Sequence, residues 1–206
     1  LPLLQKVDHT KDYIQGVILA PTRELGQQIA KQLFKFTKYS EKIFVEAVFG
    51  GQHIDIQIKN LKRPTHIVVA TPGRLIDLIE RGSLDISHVK TIVLDEADEM
   101  LSMGFKQDLN RILKFTTKPD RKTWLFSATM PEEIKKIIKT YMDANAPRVE
   151  INKDFLVNAN IRHQYAKTTI KDKTEDIIAF LEKRTSQRGI IFCRTKAGAQ
   201  SLATQL

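Results

Sequence analysis

The sequence predicts an α/β fold with a mostly parallel sheet and helices on both faces. Three observations carry this. Short apolar runs recur along the chain, and stretches with the helical period of apolar residues separate them. Most of the runs are continuously apolar and not alternating, as in strands buried on both faces. Several also end abruptly in proline, glycine or acids, most sharply in Thr91-Ile92-Val93-Leu94-Asp95-Glu96-Ala97-Asp98.

The elements follow in order. Val17 to Ala20 reads as a strand, which Pro21 and Thr22 break. Glu24 to Phe36 follows as an amphipathic helix with Leu25, Ile29, Leu33 and Phe36 on one face. Phe44 to Phe49 is a second strand, ended by Gly50-Gly51, and Ile54 to Leu61 a helix. His66 to Ala70 is a third strand. Thr71-Pro72-Gly73 leads from it into a helix from Arg74 to Glu80, which Gly82 stops. Thr91 to Leu94 is the fourth strand, followed by a helix ending near Gly104 and another over Asp108 to Phe115. Thr123 to Phe126 is the fifth strand. Pro131-Glu132-Glu133 opens a helix running to Met142.

Asn145-Ala146-Pro147 marks a break, and the polar segment to Asn160 reads as a linker. A strand is expected over Ile161 to Thr168, a helix over Lys173 to Lys183, a strand over Gly189 to Cys193 and a further helix after Thr195. The predicted division is 1–148, a linker 149–160, and 161–206. The last unit is too short for a stable α/β domain on its own. There is no internal repeat and no low-complexity tract.

The chain has 206 residues, a net charge of +9 and a pI of about 9.6. That basic excess favours a polyanionic partner, nucleic acid first, with a merely soluble basic protein as the alternative. No apolar run approaches the roughly 20 residues of a membrane-spanning helix, so no membrane role is expected. The single cysteine, Cys193, excludes an internal disulfide and fits a reducing compartment, hence the cytoplasm. It reads as a small buried hydrophobe, and Trp124 as core. The five histidines have no metal-ligand spacing.

Carboxylates are costly to bury unpaired, so Asp95, Glu96 and Asp98 are expected where their strand leaves the sheet. In open α/β sheets that end binds ligands. Asp95 suits a Mg²⁺ held through its hydration shell, and Glu96 suits the acceptance of a proton from an attacking water. The alternative is that these acids only answer the dipole of the helix they open. Pro21-Thr22-Arg23 and Thr71-Pro72-Gly73-Arg74 share another design. Each lies where a strand gives way to a helix, with free N–H groups, a hydroxyl and an arginine, a set that binds phosphate and reads no base. Gly73 and the pair Gly50-Gly51 allow close backbone approach. Ser127 and Thr129, after the fifth strand, are able to hydrogen-bond a neighbouring carboxylate; the alternative for Thr129 is a cap on the following helix.

Ala20-Pro21-Thr22-Arg23-Glu24-Leu25-Gly26, Gly50-Gly51, Ala70-Thr71-Pro72-Gly73-Arg74, the Asp-Glu-Ala-Asp tetrad and Ser127-Ala128-Thr129 occur in an order that resembles the DEAD-box RNA helicases of superfamily 2. The resemblance covers nearly the whole chain. It implies a first RecA-like domain, incomplete at its N-terminus, followed by the start of a second. It implies ATP and Mg²⁺ as cofactors, with RNA, single-stranded or in short duplexes, bound through its backbone. It makes Asp98 the partner of Ser127 and Thr129, and places the proline-threonine-arginine, Gly-Gly and Thr-Pro-Gly-Arg segments along the RNA track. Ile190 to Lys196 resembles the family's fourth motif, with Arg194 and Thr195 as its RNA-facing residues.

The chain contains no Gly-Lys-Thr or Gly-Lys-Ser phosphate loop. In the family that loop and the adenine-reading region lie upstream of the segment at Leu1, and the arginine finger lies beyond Leu206. The expectation is therefore a fragment of an ATP-dependent RNA helicase, truncated at both ends and inactive by itself. The same resemblance leaves the strand Thr123 to Phe126 at a sheet edge. Two other readings stay open: a DNA helicase of the same superfamily, and a non-catalytic RNA-binding or scaffold protein.

Overall fold

A computed structural model describes the chain except Ser40, Glu41, Thr117, residues 152–160 and Thr185. The chain divides into two compact units, Leu1–Arg148 and Val149–Leu206. Most of the expected linker, 152–160, lies outside the described residues.

After a short 3₁₀ turn at Leu4–Lys6, the first unit alternates strands and helices. These are β1 (Gly16–Leu19), α1 (Arg23–Thr37), β2 (Val45–Val48), α2 (Ile54–Leu61), β3 (Ile67–Ala70) and α3 (Pro72–Glu80). Then come β4 (Thr91–Leu94), α4 (Ala97–Ser102), α5 (Lys106–Phe115), β5 (Lys122–Leu125) and α6 (Glu132–Tyr141). The five strands form one sheet in the order β2-β3-β1-β4-β5, and every neighbouring pair is parallel. β1, β3 and β4 are buried along their whole length, as continuous apolar runs require.

The strands alternate their side chains between two cores. Val17 and Leu19 of β1, with Ile92 and Leu94 of β4, pack against Leu75 and Leu78 of α3, Leu109 and Ile112 of α5, and Ile134 and Ile137 of α6. Ile18, Val69 and Val93 point to the other face, where Ala30 and Leu33 of α1 meet Phe49. α1 buries a different stripe from the one its apolar residues suggest. Gly26, Ala30 and Leu33 are buried, while Phe36 is 49% exposed. The cause is a close approach: a Cβ on Gly26 would fall 2.7 Å from Phe49 Cζ, so the helix is drawn in on its smallest residue. Trp124 is only half buried.

Among its described residues the second unit has two helices, α7 (Lys173–Glu182) and α8 (Lys196–Gln205). The strands expected at Ile161–Thr168 and Gly189–Cys193 are absent among its described residues. A strand needs a ladder partner for its backbone groups, and neither segment has one here. Cys193 is therefore exposed and not buried.

Candidate functional site

The register fixes where the site residues gather. Val48, Ala70, Leu19, Leu94 and Leu125 pair with one another in a row across the sheet. Because all strands are parallel, the five segments that follow them emerge at one edge. Read across the sheet from β2, they are Gly50-Gly51, Thr71 to Arg74, Pro21 to Arg23, Asp95 to Asp98 and Ser127 to Thr129. The phosphate-type segments lie side by side on β2, β3 and β1, and the acidic and hydroxyl segments on β4 and β5.

The turn after β4 is held from both sides. The Asp95 amide donates to Leu19 O on β1, and the Ala97 amide donates to Phe126 O beyond β5, each at 3.0 Å. Glu96, between them, has φ 49 and ψ 53, the one positive φ among described non-glycine residues. Left-handed backbone costs an L-residue about 1–2 kcal/mol and persists only where its flanks are fixed, as they are here. The Glu96 carboxylate is exposed. Asp95 Oδ1 accepts only the adjacent Glu96 amide, at 3.1 Å. Its second oxygen has no hydrogen-bond partner among the described residues. No cluster of three or more possible metal ligands exists among them either. The donor set fits a hydrated Mg²⁺, which keeps several waters and takes one or two carboxylates, and does not fit a cation caged by protein.

Asp98 joins the fourth and fifth segments. Its Oδ2 accepts the amide and the hydroxyl of Thr129 at 2.9 and 2.7 Å. The Asp98 amide donates to Ser127 Oγ at 3.3 Å, and that hydroxyl donates to Thr129 O at 2.7 Å. Burial pushes the Asp98 carboxyl up, but the hydrogen bonds from Thr129 and Ser127 outweigh it, and the group sits below its ordinary 3.8. Thr129 does not cap α6, whose N-cap is Pro131.

The phosphate-type segments differ in what they leave free. Thr22 caps α1, its Oγ1 accepting the Leu25 amide at 3.3 Å. Arg23 is exposed and has no acidic partner among the described residues. Its Nη1 lies beside Gly51, where φ is +79 and a Cβ would come within 3.1 Å of it. Arg74 is committed to the protein: both terminal nitrogens donate to Gln52 O at 3.2 Å, and Nε lies 3.9 Å from Asp77. Thr71 makes no capping bond. Gly50 and Gly73 have nothing within 4 Å of an added Cβ, so open space faces both. Arg194 is exposed, and Thr195 caps α8 through the Gly198 amide at 3.0 Å; both belong to the second unit.

Two residues behind this edge carry little signal as site residues. Gln57 is polar within a short amphipathic helix. Gly26 has one faint mark, a glycine inside a helical pattern, which often signals close approach.

The sequence matches the model of the DEAD/DEAH box helicase family over residues 1–137. It is 40% identical over 207 residues to the DEAD-box ATP-dependent RNA helicase CshA of Bacillus cereus (strain ATCC 10987 / NRS 248), covering 100% of this chain and 39% of that protein. It is 40% identical over 206 residues to the ATP-dependent RNA helicase DeaD of Escherichia coli (strain K12), covering 100% and 32% respectively. Among solved structures, a DEAD box protein from the hyperthermophile Methanococcus jannaschii matches 99% of this chain and 53% of that one, with a TM-score of 0.68 and 38% identity. The yeast DEAD-box splicing factor Prp28 matches 64% and 31%, with a TM-score of 0.60 and 40% identity. The chain thus spans 39% and 32% of the two curated relatives' lengths.

Proposed function

This chain belongs to the DEAD/DEAH box helicase family, and on that premise we propose that the protein couples ATP binding and hydrolysis to local separation of short RNA duplexes or remodelling of RNA–protein complexes. One observation carries the reading: five parallel strands deliver three phosphate-type segments and the paired Asp-Glu-Ala-Asp and Ser-Ala-Thr segments to a single sheet edge.

Each residue's part follows from its surroundings. Asp95, with one oxygen unengaged, would hold a hydrated Mg²⁺. Glu96 accepts the proton of the attacking water, its carboxylate presented by a turn pinned to β1 and β5. ATP with Mg²⁺ supplies the transferable phosphoryl group and the cation that offsets its developing charge. The Asp98–Thr129 pair ties this half of the edge to the segment after β5, and so couples nucleotide state to the rest of the protein. Arg23 and the free amides of the Gly50-Gly51 turn bind the RNA backbone without reading sequence. Arg194 and Thr195 add RNA contacts from the second unit. The net charge of +9 and the likeness to proteins named RNA helicases support RNA as the partner. The chain alone, without a Gly-Lys-Thr or Gly-Lys-Ser loop, hydrolyses little ATP in this reading. No helix among the described residues is long and apolar enough to cross a membrane, and the lone Cys193 supports a reducing, cytoplasmic setting.

The test is Glu96→Gln in a longer polypeptide that also carries a Gly-Lys-Thr loop. RNA-stimulated hydrolysis should fall by at least about a hundredfold while ATP still binds, because an amide cannot take the proton. Asp95→Asn should instead raise the Mg²⁺ requirement. Unchanged turnover in Glu96→Gln would put the base elsewhere.

A further inference from the structure

Gln57 sits in the middle of α2 and is only 2% exposed. Its Nε2 donates to Phe49 O at 3.0 Å, the last carbonyl before Gly50. Its Oε1 is buried with no hydrogen-bond partner among the described residues. An orphaned buried acceptor costs stability, so this amide is a poor choice for packing alone. On the far side of the turn, Arg74 holds Gln52 O. The three amides between these two carbonyls, those of Gly50, Gly51 and Gln52, make no hydrogen bond among the described residues, and open space faces Gly50. The backbone donors of the turn are therefore free while its carbonyls are fixed.

We infer that Gln57 is a positioning residue for the nucleic-acid backbone: its amide holds Phe49 O and so keeps the free N–H groups of Gly50, Gly51 and Gln52 in a fixed array. This rests on the nucleic-acid reading of the edge. Gln57 touches no ligand itself and acts only through the turn. Arg74 acts the same way from the other side, bridging the turn after β2 to the start of α3.

The obvious variant is close to neutral for the fold. Gln57→Leu removes one orphan acceptor, Oε1, and creates another, Phe49 O, while keeping the volume. The 206-residue chain is compared with this variant by melting, by amide hydrogen exchange and by anisotropy of a labelled uridine decamer across a salt series. The variant should melt like the wild type. Exchange at Gly50, Gly51 and Gln52 should quicken, and the decamer should bind roughly fivefold more weakly, the factor of about one lost hydrogen bond. The slope against salt should not change, since no cation is removed.

Wild-type exchange at the turn, or wild-type affinity, would overturn the inference. If Gln57→Leu melts early, Gln57→Met decides: a folded Met variant with weakened binding supports positioning, and one with wild-type binding refutes it. A wild-type chain that binds no decamer even at low salt defeats the nucleic-acid reading itself and this inference with it. That failure is distinguishable, because it precedes any substitution.

Discussion

Oδ2 of Asp98 accepts both the amide and the hydroxyl of Thr129, a residue 31 positions away, so one oxygen carries two of the hydrogen bonds between the segments after β4 and β5. The carboxyl is held below its ordinary 3.8 by these bonds, against the upward push of burial. A depressed carboxyl favours the folded state at pH above 3.8, and that contribution is lost as pH falls through the lower folded value. Thr129→Val keeps the β-branched shape and removes the hydroxyl. Asp98 should then titrate nearer 3.8 by carboxyl-carbon NMR, with a stability loss of about 1 kcal/mol at neutral pH. An unmoved midpoint would mean that the hydroxyl does not hold the carboxylate.

Gly50 and Gly73 separate what the fold requires from what a ligand requires. Neither has a positive φ, and an added Cβ meets nothing at either. Gly73→Ala lies in the first turn of α3 and should leave stability unchanged or raise it by up to about 0.5–1 kcal/mol. Gly50→Ala should be near neutral. Both should weaken decamer binding, because the added methyl occupies the space a phosphate would approach. Gly51→Ala should instead lose about 1–2 kcal/mol, since its φ is +79 and Arg23 crowds it. Melting and anisotropy on the same three variants check the pattern, and equal binding by Gly50→Ala and wild type would move the backbone site away from this turn.

Arg121 closes the opposite end of the same layer. Nη1 donates to Leu113 O at 3.0 Å and Thr116 Oγ1 at 2.6 Å, and Nη2 donates to Tyr141 O at 3.2 Å. It thereby joins the ends of α5 and α6 to the start of β5. Burial lowers its pKa. Arg121→Met keeps the stem but removes three charge-assisted hydrogen bonds, although Leu113 O and Tyr141 O keep those from Thr116 and Thr123, and should cost on the order of 2–3 kcal/mol in urea denaturation. A loss below half of that would show that water replaces the guanidinium there.

What was legible in the sequence was what local pattern determines. Continuous apolar runs marked β1, β3 and β4, because strands buried on both faces have no polar side to alternate; β2 and β5, with Glu46, Lys122 and Thr123, showed only shorter apolar stretches. Their abrupt endings in Pro21, Gly50, Thr71, Asp95 and Ser127 marked the site edge. Which segments become neighbours was not legible from the runs alone, since strand order depends on packing between distant elements. The stripe on α1 was misplaced because Gly26 against Phe49 governs the approach, and hydrophobic periodicity does not weigh a glycine. Gln57 was invisible for a related reason: its burial depends on where α2 lands. Ile161–Thr168 and Gly189–Cys193 have strand-like composition but no partner to pair with among the described residues.

β5 pairs only with β4 among the described residues, which leaves its other edge bare. Beside it lies a cavity of about 560 Å³ lined by Trp124, Tyr141 and Met142 and by the charged Lys118, Lys122 and Asp143. Phe126, just past the strand, is 55% exposed. An edge with no neighbouring strand offers unpaired backbone groups to another chain, and the exposed Phe126 adds apolar surface beside it. The 206-residue chain should therefore self-associate with rising concentration in sedimentation velocity. Phe126→Lys should shift the population toward monomer without lowering the melting temperature, because the Phe126 backbone bonds to Leu94 and Ala97 do not involve its side chain. A wild-type chain that stays monodisperse and monomeric across the concentration range would show that the edge is covered, and the Lys variant would then have nothing to relieve.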